Sequence, residues 1–359
     1  MIPYIFLIIF TLTFSPLCRY NSKFYLYINY IIIFLFMALR SPTVGSDTLS
    51  YRSFFYNSNM TDLPNNFINW IIPLNNQRFE TGFILLNKLI YNTSPNFQFE
   101  LFVTAFIIST CFIFFIKQLN CDYPLSFLIF ICLGFLANSM NLMRQSLAWA
   151  FTLVAFVFVV KRKFFPFIIF VVLAGSMHVT GFLFLPVYFL SYCKLNYRSL
   201  FLIAIGGGVV FFDFEKIFGS ISNFSTEVQT FSSSINNGDG HLNLILNLFI
   251  FGIVFFCSYR LLELSLKDKE NPFVKNSIYL SLLAIACIVI SFKFSQIFRI
   301  VMYFASCEFI LITYIVNKFN NKFLFKAIII TALICYFIII QMIRPEWSHI
   351  IPYLFFWQS

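Results

Sequence analysis

The sequence predicts an all-α polytopic integral membrane protein with about twelve transmembrane helices (range 10–13), plus interfacial or re-entrant helices in its longer loops. Three observations predict it. Hydrophobic residues make up 60% of the chain and charged residues 11%, against roughly a quarter charged in a soluble protein of this size. Mean hydropathy is +0.85. Apolar runs recur along the whole chain, and lipid offers their backbone groups no partner, so each run must satisfy itself as a helix. The 359 residues are read as one membrane domain, 1–359, because a length-based domain count belongs to soluble chains.

Residues 2–17 form the first apolar run. No basic residue precedes it and no small-residue cleavage site follows, so it reads as a retained helix rather than a cleaved signal. Arg19 and Lys23 follow, then a second run at 24–40. The stretch 41–98 is mixed, with turn residues at Pro64, Asn65, Asn66, Pro73, Asn75 and Asn76. Inside it, residues 80–91 are apolar but too short to span, which suits an interfacial or re-entrant helix. Further runs lie at 99–116, 123–139, 142–160, 164–177, 180–193, 199–212, 241–262, 276–292, 297–316 and 326–343. The three between 164 and 212 are short for spans. A second polar loop occupies 213–240, and a tail closes the chain from 344.

Other compositional features carry less. The 54 phenylalanines fit an AT-rich coding sequence and lipid or packing contacts. Nine cysteines (Cys18, Cys111, Cys121, Cys132, Cys193, Cys257, Cys287, Cys307 and Cys335) show no CxxC and no zinc spacing. They read as buried inert thiols. The net charge of +10 sits at helix ends, which fits topology and anionic membrane lipids as partner rather than nucleic acid.

Charge also orients the chain. Of the 24 basic residues, fifteen fall in the short connections 19–23, 117–122, 161–163, 194–198, 260–275 and 317–326. The positive-inside rule makes that set cytoplasmic, so both termini and the loops 41–98 and 213–240 lie outside. Nine basic residues oppose the trend: Arg40, Arg52, Arg78, Lys88, Arg144, Lys216, Lys293, Arg299 and Arg344. Arg40, Arg144 and Arg299 stand at outer helix ends beside other polar groups, where a charge is costly unless paired or facing a wet cavity.

Several constellations carry chemistry. On a helix, Asn141, Arg144 and Gln145 share one face, and a guanidinium there can bind phosphate bidentately. The bland alternative is an interfacial arginine snorkelling to headgroups. Gln296, Arg299 and Tyr303 form a second stripe, with Lys293 one turn earlier. Its alternative is a structural ion pair, for which Glu308 is the candidate. His178, in Gly175-Ser-Met-His178-Val-Thr-Gly181, is a base, a phosphate ligand or a packing residue. His241 and His349 sit in loop and tail and carry little.

Among the outside carboxylates (Asp47, Asp62, Glu80, Glu100, Asp213, Glu215, Glu227, Asp239 and Glu346), Asp47 and Glu80 stand out. Asp47 is a base, a partner for Arg40, or a loop former beside Gly45. Glu80 is a base or a helix N-terminal residue favoured by the dipole. No DxD pair, GxxxxGK[ST] or GxGxxG motif is present. Gly206-Gly-Gly208 reads as a site of close helix packing.

These residues together resemble a known family. The order Arg40…Gly45-x-Asp47…Tyr51, Glu80-x-Gly82-Phe83, Asn141-x-x-Arg144-Gln145, His178-x-Thr-Gly-x-x-x-x-Pro186, Arg299-x-x-x-Tyr303 and Pro352-Tyr353 is similar to that of the EpsG family, Wzy-type polymerases of exopolysaccharide and O-antigen. Thr180 departs from the serine expected there but keeps a hydroxyl.

The resemblance implies a metal-independent membrane glycosyltransferase without cofactor, in the bacterial inner membrane, working at the periplasmic face. It would move a growing glycan from undecaprenyl diphosphate onto a lipid-linked repeat unit. It implies diphosphate contacts for Arg40, Tyr51, Asn141, Arg144, Gln145, Arg299 and Tyr303. A base would come from Glu80, His178 or Asp47, with Glu80 slightly favoured. A chain-length regulator is an implied partner.

Other readings are an O-antigen ligase-like transferase, a flippase or transporter of lipid-linked sugars, and a membrane acyltransferase. The ligase would share the arginines and the topology. A transporter calls for internal repeats and midplane charges, which the sequence does not display. An acyltransferase calls for a histidine served from the cytoplasm, whereas His178 is expected outside.

Overall fold

A computed structural model describes residues 1–61, 63, 79–119, 121–222, 241–264, 271–293, 295–343 and 349–358, without the side chains of 210–222, 241 and 242. Asp62, Arg78, Glu227, Asp239, Lys267, Lys269, Arg344 and Glu346 lie outside the described residues. So do the turn residues 64–76, and the loop from 223 to 240.

The described residues are helical. In order they form α1 (Ile2–Thr13), α2 (Ser22–Ala38), α3 (Thr48–Asn57), α4 (Thr81–Thr93), α5 (Phe97–Gln118), α6 (Tyr123–Cys132), α7 (Phe135–Asn141), α8 (Met143–Val160), α9 (Phe164–Met177), α10 (Tyr197–Ser222), α11 (His241–Leu264), α12 (Pro272–Ser291), α13 (Phe298–Phe304), α14 (Cys307–Lys318) and α15 (Lys322–Ile343). Side chains of Asn21, Asn96, Asp122 and Asn271 cap the starts of α2, α5, α6 and α12, each satisfying an amide that the first helical turn leaves open.

Among the described residues, five helices are long and apolar enough to cross a membrane: α5, α8, α11, α12 and α15. The number is seven if each bent pair counts as one span. The pair α6 and α7 bends by 51°, and residues 295–304 with α14 bend by 57°. The other apolar runs form shorter helices at Ile2–Thr13, Ser22–Ala38, Phe164–Met177, Val179–Leu190 and Tyr197–Val209. Every apolar run is therefore helical, but length separates them: α1, at 1.5 Å per residue, covers only about 18 Å of a core about 30 Å thick.

Besides the two bent pairs, which break the runs 123–139 and 297–316, the largest departures from the sequence reading fall in two stretches. The run 180–193 is a 3₁₀ stretch, Val179–Phe184, followed by a short helix, Val187–Leu190. Pro186 separates them and cannot donate to a continuous ladder. The run 199–212 instead continues as α10 to Ser222, into the segment expected as loop. The piece 80–91 is a separate helix, α4, as expected.

The centre of the bundle is α8, whose side chains are almost all buried and which packs on α9, α5 and α7. Trp149 is fully buried there and stacks on Phe130 and Phe135. The nine thiols are free, and burial is uneven: Cys121, Cys132 and Cys307 are buried, whereas Cys193 and Cys335 are exposed on the bundle's outer surface.

At one end of the bundle the C-terminal strand of chain straps the loop after α2. Ser41 N–H donates to the Leu354 carbonyl at 2.8 Å, Gly45 N–H to His349 at 2.9 Å, and Phe356 N–H to Leu39 at 3.0 Å. Tyr353 donates to the Phe36 carbonyl at 2.6 Å. Pro352-Tyr353 and the segment 40–51 are thus one local unit joined from opposite ends of the sequence.

Candidate active site

Three elements meet at Glu80. It immediately precedes α4, yet its side chain makes no capping bond there. The carboxylate turns away instead. Its Oε2 accepts from Arg144 at 2.7 Å; its Oε1 accepts from His178 Nδ1 at 2.6 Å and from the Val179 amide at 3.0 Å. Gly82 permits the approach of α4 to α9 that this requires, because a Cβ there would lie 2.4 Å from Ser176 Oγ.

Glu80 is 2% exposed. Burial alone raises its pKa, but the His178 hydrogen bond and charge, then Arg144 and the Val179 amide, outweigh it and hold the carboxyl down at about 2. It is therefore an ionised carboxylate across the physiological range, with both oxygens engaged. Arg144 lies over the Phe79 ring, 4.6 Å from its centroid. Tyr51 faces the same guanidinium; burial raises its phenol while Arg144 opposes that shift.

The second cluster lines a cavity of about 450 Å³. Its walls include Ser46, Asp47, Asn138, Asn141, Gln145 and Arg299. Asn141 Oδ1 accepts from Ser46 Oγ at 2.9 Å and from the Asp47 amide at 3.0 Å. Gln145 donates to the Arg299 carbonyl. Among the described residues no hydrogen bond or ion pair engages the exposed Arg299 guanidinium, and no hydrogen bond engages the Asp47 carboxylate. Thr180 and Tyr303 hydroxyls meet at 2.9 Å; Tyr303 is one turn beyond Arg299, so this bond ties the His178 segment to the cavity helix.

The predicted residues are thus divided. Glu80, Arg144, His178 and Tyr51 come together. Asp47, Asn141, Gln145 and Arg299 come together at the cavity. Tyr303 is buried between the two groups. Asn141, Arg144 and Gln145 do not share one helix face, because Leu142 (φ −95°, ψ 64°) breaks the chain between α7 and α8. Gln296 lies in a separate 3₁₀ turn, Ser295–Ile297, and does not line the cavity.

Arg40 joins neither group. It is 2% exposed, and its guanidinium donates to the Val44 carbonyl at 2.7 Å and to Thr48 at 3.0 Å. Burial lowers its pKa to about 10, against the opposing influence of Tyr4, Tyr353 and Glu100. Its observed work is to fold the 40–48 loop. Gly45 (φ +98°) completes that loop, where a Cβ would lie 2.6 Å from the Met140 carbonyl.

Comparison with protein families decides the class. The family model for EpsG matches residues 23–355.

The chain belongs to the EpsG family. Both clusters lie within the matched residues, and so do all six motifs, from Arg40 to Tyr353. Membership carries with it a polysaccharide polymerase-type, glycosyltransferase-like membrane protein whose substrate is a lipid-linked polysaccharide. No curated protein and no solved structure matches this EpsG-family chain.

One part of the cavity was not anticipated. Asn243 and Asn247 on α11, and Tyr336 and Gln341 on α15, face it together with Glu308 on α14. Glu308 makes no ion pair with Arg299 among the described residues. The available signal was Asn243-x-x-x-Asn247 at one-turn spacing in an apolar run, with lone polar residues at 308 and 341 in two others.

Proposed function

We propose that this EpsG-family chain is a polymerase that joins undecaprenyl-diphosphate-linked oligosaccharide repeat units by block transfer. In this reading one membrane domain of about twelve spans sits in the bacterial inner membrane, with both termini and the site at the periplasmic face. The donor is a growing glycan on undecaprenyl diphosphate, and the acceptor is a single lipid-linked repeat unit.

The proposed chemistry is a metal-independent glycosyl (hexosyl-type) transfer. An acceptor hydroxyl oxygen bonds to the anomeric carbon of the donor's lipid-proximal sugar. The bond from that carbon to the diphosphate oxygen breaks, and undecaprenyl diphosphate leaves with the electron pair. The hydroxyl proton passes to a base.

Arg299 suits the diphosphate, since its guanidinium is exposed at the cavity and can offset charge that grows on the leaving group. Asn141 and Gln145 position the segments on either side of it. The observation that carries the assignment of the base is Glu80 held between Arg144 and His178. A carboxylate at about 2 is a weak proton acceptor near neutral pH, whereas a histidine whose Nδ1–H is held by a carboxylate presents Nε2 as the basic nitrogen. His178 is therefore the proposed base, Glu80 its orienting partner, and Arg144 the charge that fixes Glu80. Asp47 is the second candidate, because its carboxylate lines the cavity without a hydrogen-bond partner among the described residues.

A chain-length regulator belongs to the same proposal as a partner. The test is elongation of lipid-linked repeat units by the purified chain in proteoliposomes, read as glycan length.

A further inference from the structure

The cavity wall opposite in character to Arg299 is rich in hydrogen-bond acceptors. Glu308 is 3% exposed and Gln341 8% exposed. Gln341 Oε1 is buried without a hydrogen-bond partner, and among the described residues no hydrogen bond or ion pair engages the Glu308 carboxyl. Asn247 Nδ2 donates to Asn243 Oδ1 at 2.7 Å and to the Tyr336 hydroxyl at 3.2 Å, so these three are already held as a unit. Tyr336 lies within electrostatic reach of Glu308.

An unpaired carboxylate and an unpaired amide oxygen in an apolar bundle are costly. Helix packing does not require them, since leucine or methionine would fill the space. Polar side chains inside membrane helices mark substrate paths for that reason. The open capacity at Glu308 and Gln341 is for hydrogen bonds to neutral polar groups, with the Glu308 carboxyl able to donate as well as accept. That chemistry suits a ligand bearing several hydroxyls, each of which both donates and accepts. Phe251, Phe298 and Phe337 line the same cavity and offer flat apolar surface beside the polar groups.

We propose that Glu308 and Gln341, with the Asn243–Asn247–Tyr336 unit, form a saccharide subsite that binds sugar hydroxyls of the repeat unit next to the diphosphate held by Arg299. The subsite rests on the polymerase reading for the identity of its sugar, and it makes this wall a determinant of which repeat unit is accepted. Sites that hydrogen-bond a substrate hydroxyl reject analogues lacking it far more strongly than apolar pockets reject a missing methylene.

The probe is the host's repeat-unit oligosaccharide, released from its lipid by mild acid. Binding to the full chain in nanodiscs is read by saturation-transfer NMR. Glu308→Gln preserves volume and is expected to weaken oligosaccharide binding tenfold or more, while inorganic diphosphate binding changes less than about twofold. Gln341→Leu is expected to act in the same direction. In the unmutated chain, the oligosaccharide is expected to slow carbodiimide labelling of Glu308, a readout that needs no variant to fold.

Failure of the oligosaccharide to bind or to protect Glu308 overturns the subsite, as does unchanged binding in both variants. Loss of a sodium-dependent signal in Glu308→Gln with oligosaccharide binding intact also overturns it, and makes the wall a cation site. Free oligosaccharide binding requires no turnover. A chain that binds sugar at this wall but never elongates lipid-linked glycan therefore contradicts the polymerase reading while leaving the subsite standing.

Discussion

His178 Nδ1 lies 2.6 Å from Glu80 Oε1, although 98 residues separate them in sequence. With Glu80 ionised, the Nδ1–H donates, and the imidazole is fixed in the tautomer that leaves Nε2 as acceptor. His178→Gln removes that acceptor. Elongation is expected to fall by about 10²–10⁴-fold, the usual worth of a general base, with membrane levels unchanged. Elongation within about threefold of wild type would return the role to Asp47, whose Asp47→Asn variant is the paired measurement.

The two site arginines are expected to fail differently. Arg299 is exposed and unengaged by any side chain among the described residues, so Arg299→Ala removes donor affinity and leaves the melting midpoint unchanged. Arg144 pairs with a buried carboxylate at 2.7 Å. Arg144→Ala leaves that carboxylate with only His178 and the Val179 amide, at a cost below the roughly 3–5 kcal/mol of a fully uncompensated buried charge, so it loses stability and activity together. Thermal unfolding in detergent beside an elongation assay separates the two patterns.

Glu80 also sets a pH dependence. Its carboxyl is depressed from 4.5 to about 2, a difference worth roughly 3 kcal/mol. A depressed acid stabilises the fold fully above its unfolded pKa, and that contribution fades as pH falls towards the folded value. Glu80→Gln is therefore expected to be less stable than wild type above about pH 4.5, with the gap narrowing from there down to about pH 2. Denaturation midpoints measured from pH 7 to pH 3 check it. A gap that stays constant down to pH 3 contradicts the assignment.

Gly82 is a steric hinge of the site. Gly82→Ala places a methyl 2.4 Å from Ser176 Oγ and 2.6 Å from Ser176 Cβ. The expected loss is about 1–3 kcal/mol from overpacking, with reduced elongation as Glu80 moves from His178. Ser176→Gly removes the clashing side chain and is expected to restore part of both in the double variant.

Much of this was legible in sequence, for physical reasons that also mark the limit. Apolar runs named nearly all the helices because lipid and core both demand long stretches without charge. They did not fix which helices reach across, since Pro186 and the breaks after Cys132 and Phe304 depend on local backbone geometry. Arg144, Glu80 and His178 were each visible as charged or titratable groups beside apolar helices. Their meeting was not, because it depends on α4 packing on α9 at Gly82. Arg40 shows the opposite limit: its position against the charge trend marked it, but Val44 and Thr48 consume its donors. Helical periodicity placed Asn141 beside Arg144, and the break at Leu142 sends one to the cavity and the other to Glu80. Glu308 and Gln341 carried little signal as isolated polar residues in apolar runs, and only the shared cavity brings them together.

Polymerisation is read directly by reconstituting the purified chain in proteoliposomes with undecaprenyl-diphosphate-linked repeat units and a metal chelator. The expected result is a ladder of longer lipid-linked glycans with one undecaprenyl diphosphate released per transfer, absent in Arg299→Ala and in His178→Gln. Unaltered glycan length together with movement of the substrate between leaflets would contradict it and make the protein a transporter.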